Sequence, residues 1–166
     1  MKAAFRILIT IVSLGVIFTN SGCKKSSPAE TTQAKQLRLL SQTWKISTVS
    51  LGGVDQTAKW PGFQLTISGT STSTTYNYTC TGRPALSPWP AGGGTNSLGT
   101  WSFGADPVTQ IIRDPSSTPD TLPMTYTVTA ASGSTKAALS ISFNFTGNGY
   151  TRVSNVAGAW VFNFTN

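Results

Sequence analysis

The chain is dominated by a two-residue alternation of apolar and hydroxylated positions. Leu139, Ile141, Phe143 and Phe145 alternate with Ser140, Ser142, Asn144 and Thr146. The same rhythm puts Phe63, Leu65 and Ile67 on one side of a run, as it does Tyr76, Tyr78 and Cys80, then Met124, Tyr126 and Val128, and finally Trp160, Phe162 and Phe164. Successive strand side chains point to opposite faces, so each run predicts a strand with one apolar and one wet face. About eight strands follow, at 43–51, 62–68, 74–81, 99–104, 108–113, 123–130, 137–146 and 157–165. Turn chemistry such as Gly52-Gly53, Asp106-Pro107 and Ser132-Gly133 separates most of them. Before them, Thr32 to Gln42 predicts a short helix with Leu37 and Leu40 on one face. The pattern is that of an all-β antiparallel sheet with a single wet side, closed as a barrel or stacked as a sandwich.

The N-terminus departs from this rhythm. Lys2 and Arg6 precede an apolar run from Ile7 to Phe18, the length of a signal-peptide core and too short to span a bilayer. Asn20-Ser21-Gly22-Cys23 resembles a lipobox, the site at which lipoprotein signals are cut and the cysteine acylated. That resemblance implies a signal peptide over 1–22, a lipidated Cys23 opening a flexible tether over 23–36, and a domain over 37–166. It also implies attachment to a membrane through N-terminal acyl chains. Lys24-Lys25 beside the anchor fits anionic head groups. Lys24 in place of an aspartate favours the outer membrane by analogy with other lipoproteins.

Charged residues make up 10% of the chain, against about 25% in ordinary soluble domains. Ser and Thr number 46 of 166, so the expected surface is hydroxylic rather than ionic. Cleavage before Cys23 leaves ten basic and five acidic side chains, with no basic stripe or basic helix, which argues against a nucleic-acid partner. Histidine is absent and the five acids fall in the tether or in predicted turns. No converging acid–base pair, zinc set or activated nucleophile is legible, so neither a catalytic residue nor a cofactor is expected. Asp106 and Asp114 each precede proline and read as turn residues. Lipidation of Cys23 leaves Cys80 without an intrachain partner, and a buried core thiol is its expected state.

The longest connection, Gly82 to Leu98, holds Trp89 in the stiff stretch Ser87-Pro88-Trp89-Pro90. Trp89 there either lies across an open end as a stacking plate or seals the core, and Trp60-Pro61 is a second such candidate. Asp120-Thr121-Leu122 matches a three-residue acceptor for O-glycosylation in some Gram-negative bacteria, a match short enough to arise by chance.

Leu39-Leu40-Ser41-Gln42-Thr43-Trp44-Lys45-Ile46, the Gly52-Gly53-Val54-Asp55 turn, Gly99-Thr100-Trp101-Ser102-Phe103 and Gly158-Ala159-Trp160 together resemble the lipocalin-like domains of bacterial lipoproteins. The resemblance implies a lipocalin-like β-barrel holding a small apolar or amphiphilic ligand in its open end. The inward aromatics Tyr76, Tyr78, Trp101 and Phe143, with Trp89 above them, would be its contacts. The alternative is a structural or interaction lipoprotein with a packed barrel, an accessory to a surface assembly or glycan-capture system, whose contact surface is Trp89 and its loop.

Overall fold

The computed structural model describes residues 29–89, 97–117, 121–147 and 156–166; the signal segment, Cys23 and Asp120 lie outside them. One helix, α1 (Thr32–Leu40), precedes strands β1 (Thr43–Leu51), β2 (Val54–Asp55), β3 (Gln64–Ser68), β4 (Tyr76–Thr81) and β5 (Ser97–Phe103). Then come β6 (Gln110–Arg113), β7 (Leu122–Thr129), β8 (Ala138–Phe145) and β9 (Gly158–Thr165). Every neighbouring pair is antiparallel, and β9 returns to pair with β1. That closure makes an eight-stranded, lipocalin-like barrel with β2 as a short extra strand, and it excludes the sandwich. Closure pairs β1 with β9, so neither is left as an open edge of the main sheet.

The alternation explains the lining. Across β8 and β9, Leu139 faces Phe164, Ile141 faces Phe162 and Phe143 faces Trp160, all buried. Cross-strand pairs of this kind are the unit of sheet stabilisation. At the closing seam the rhythm needs a correction. Trp44 and Ile46 share one phase and Val49 the opposite one, because the β1–β9 register slips between Ile46 and Thr48. Two consecutive polar residues, Ser47-Thr48, supply the extra position of a β-bulge, which lets Trp44 and Val49 both point inward.

Helix α1 closes one end. Thr31 caps it by accepting the Ala34 N–H at 3.1 Å. A nine-residue helix is marginal alone, and packing holds this one: Leu37 and Leu40 are buried, and the Trp44 indole donates to the Leu40 carbonyl at 2.9 Å. Gln33 donates to the Tyr76 hydroxyl at 3.0 Å, and Tyr126 donates to Gln36 Oε1 at 3.3 Å. The helix stops at Leu40, two residues short of the predicted boundary.

Candidate functional site

All five aromatics proposed as ligand contacts lie inside the wall: Tyr76, Tyr78, Trp89, Trp101 and Phe143 are each at most 6% exposed. Tyr76 packs at a tilt against Trp101 near the helix end, with ring centroids 4.6 Å apart. At the opposite end Trp89 drops into the barrel and meets Phe63, Tyr78, Phe143 and Phe162 at 5.6–6.0 Å. Trp60 packs edge-on against Phe162 and Phe63 at 4.9 and 5.0 Å. Both tryptophans therefore seal the core, and neither is a surface plate. Among the described residues, the interior space bounded by Leu40, Leu65, Tyr78, Trp89, Met124 and Ile141 is about 20 Å³. That holds one water and no ligand.

A buried polar cluster pins this plug. Arg113 follows Ile111 in the inward phase of β6 and is 3% exposed. Its Nη1 donates to the Pro88 carbonyl at 2.8 Å, and its guanidinium carbon lies 5.7 Å from the Trp89 ring centroid. Its Nε lies 3.3 Å from Asp114 Oδ2, a charge contact rather than an aligned hydrogen bond. Asp114 also accepts the Tyr78 hydroxyl at 2.9 Å on Oδ2 and the Thr100 N–H at 2.9 Å on Oδ1. A buried charge survives only when paired and hydrogen-bonded, and here each group supplies what the other needs. Burial pushes the Tyr78 phenol well above its ordinary value, and the Asp114 carboxylate beside it acts in the same direction.

Asp114 thus does more than its place before a proline suggests. It adopts a left-handed backbone at φ 49°, which aspartate tolerates better than most residues. Gly99 is the matching concession: a Cβ there would strike the Tyr78 phenol and Asp114 Oδ1. Asp106, by contrast, is the turn residue its sequence predicts. It accepts the Thr109 hydroxyl at 2.6 Å and the Val108 N–H at 2.9 Å, and these bonds hold its carboxyl below the usual range. Thr121 spends its hydroxyl on the carbonyls of Asp114 and Ser117 at 3.0 and 3.2 Å. Cys80 is a fully buried core residue. Among the described residues no three metal-ligating side chains converge.

A wide concavity lies in the wall. A cleft of about 530 Å³ crosses β6 to β9, reaching from the outward residues Pro123, Thr125, Ser142 and Asn144 to the inward Met124 and Phe143. Its cause is a parted seam. β7 and β8 pair from Thr129↔Ala138 to Thr125↔Ser142 and go no further, although both strands continue.

Alternation explains the stop. Tyr126 donates its N–H to Thr109 on the β6 side, so Thr125 and Pro123 turn their backbone groups toward β8. Beyond Met124↔Phe143, the next hydrogen-bonded pair in register would join Pro123 to Asn144, and proline has no N–H to give. Phe143 borders this cleft, while its ring packs inside the barrel against Trp89 and Phe162. Neither Arg113 nor Pro123 is singled out by composition or turn chemistry. Their signals were positional: a basic residue in the inward phase, and a proline opening a predicted strand.

No protein-family model, curated protein or solved structure matches this chain.

Proposed function

We propose that this chain is a lipid-anchored, non-enzymatic protein of the cell envelope that acts through its outer surface, its barrel packed rather than hollow. The carrying observation is the filled interior: about 20 Å³ remains where a ligand-carrying barrel would keep several hundred. The buried charges Arg113 and Asp114 are consumed by one another and by Tyr78, Thr100 and Pro88, which supports a structural role for them rather than a catalytic one. Cys23, acylated, would hold the chain in the outer membrane, with Lys24-Lys25 against the head groups. Each buried CH₂ of an acyl chain contributes about 0.8 kcal/mol, so several chains give stable attachment.

Membrane fractionation of wild type and Cys23→Ser tests the anchor. The wild type is expected with membranes and the variant in the soluble fraction; a variant that stays with membranes overturns the anchor. Anilinonaphthalene sulfonate tests the packed interior. Its emission should stay low with the folded protein, and a stoichiometric enhancement would overturn the packed-barrel reading.

A further inference from the structure

We infer that the cleft at the parted β7–β8 seam is a binding site for a small uncharged amphiphile: an apolar body carrying a hydroxyl or amide head. This deepens the surface-acting reading and fails separately from it, because it does not depend on the anchor.

Three observations carry it. First, a cleft of about 530 Å³ has the size of small-molecule sites, and it is over twentyfold larger than the space left inside the barrel. Second, its floor is largely apolar, because the outward-phase residues Ile112, Pro123, Ala159 and Val161 lie along it, with Gln110 and Asn144 also among its lining. Third, no acidic or basic residue is among its described lining. A charged head would lose hydration without gaining a counter-charge, so the site selects against ions.

The polar half of the recognition comes from the backbone. Asn144 lies two residues beyond Ser142, so its N–H and C=O face the cleft, and Pro123 opposite offers only a carbonyl. An ordinary residue at 123 would join Asn144 as the next hydrogen-bonded pair and close this space. Proline keeps one donor and two acceptors available beside an apolar floor. A hydroxyl or amide satisfies both kinds of group, and a hydrocarbon satisfies neither. The Thr125 and Ser142 hydroxyls, 2.6 Å apart on the outer face, clasp the last closed pair and define where the seam begins to open.

The test uses the full ¹⁵N-labelled chain carrying Cys23→Ser, which has no acyl site, in detergent-free buffer. Octyl glucoside below its micelle concentration is the neutral probe, and octanoate is the charged probe of equal chain length. Saturable amide shifts are expected at Thr125, Ser142, Asn144 and Val161 with octyl glucoside, at least fivefold weaker with octanoate. Pro123→Thr should extend the β7–β8 ladder and weaken octyl glucoside binding at least tenfold. Val161→Lys, outward-facing in the cleft, should do the same by placing a charge there, and it decides the matter should the first variant not fold. Absence of saturable shifts, equal binding of octanoate, or undiminished binding by a folded variant overturns the site.

Discussion

The Tyr78 hydroxyl donates to Asp114 Oδ2 at 2.9 Å across 36 residues of sequence, and the same oxygen faces the Arg113 guanidinium. One carboxylate thereby joins β4, the end of β6 and, through Arg113, the Trp89 segment. Asp114→Ala leaves Arg113 buried and unpaired, an arrangement that costs about 3–5 kcal/mol. Tyr78→Phe removes one hydrogen bond to a charged group, about 1.5–3 kcal/mol. The two losses should fall short of additivity in the double variant, because both act through one oxygen. Urea unfolding midpoints measure all three, and full additivity would separate the residues energetically.

Stability should also fall in alkali. The Tyr78 phenol is held above its ordinary value of 10 by burial first, so the fold keeps its proton where the unfolded chain releases it. The contribution is therefore complete below about pH 10 and is lost as the pH rises beyond it. The slope is at most about 1.4 kcal/mol per pH unit for one such tyrosine. Tyr126 shifts in the same direction, again chiefly by burial, with the Asp106 charge adding to it. Unfolding curves between pH 9 and 12 should show the decline, and Tyr78→Phe should flatten it. A flat wild-type profile would contradict the buried phenol.

Much of this fold is visible in the sequence, for a physical reason. A barrel with a greasy lining and a hydroxylic exterior must alternate, so Leu139 to Phe145 and Trp160 to Phe164 declare both strand and facing. Closure is not visible, because Val49 opposite Phe162 is a pairing between residues 113 apart that no local pattern encodes. The β1 bulge has a local trace in Ser47-Thr48, two polar residues where one is due. Inward aromatics look alike whether they contact a ligand or one another, and only the observed filling separates the two. Hence the alternation marks Tyr76, Tyr78 and Trp101 as inward, while Trp89, outside any strand, is left between a stacking plate and a core seal until its burial decides for the seal. The cleft depends on which way one proline's nitrogen points, a matter of register that strand pairing settles.

All five tryptophans are buried, from 0% exposed for Trp44 to 4% for Trp160. Iodide should quench the native emission only weakly and quench fully once urea unfolds the chain. Trp89→Ala should cost about 3–5 kcal/mol, the range for truncating a large core aromatic, since it empties the centre of the plug. A tryptophan as accessible to iodide as free indole in the native protein would restore the surface-plate reading of Trp89 or Trp60.

Gly99 provides a stringent test of the cluster, since the substitution adds a single methyl group. Its backbone lies where a Cβ would overlap the Tyr78 phenol oxygen and Asp114 Oδ1, so Gly99→Ala must displace one of them. Overpacking of a filled site costs typically about 1–3 kcal/mol, and displacing the phenol would also sacrifice its bond to the carboxylate. In a Tyr78→Leu background both the phenol oxygen and the ring Cζ, which the methyl would also strike, are gone, so the methyl should be better tolerated there. Thermal unfolding of the two single variants and the double variant separates these effects. Equal penalties for Gly99→Ala in both backgrounds would show that the Tyr78 phenol is not what the glycine accommodates.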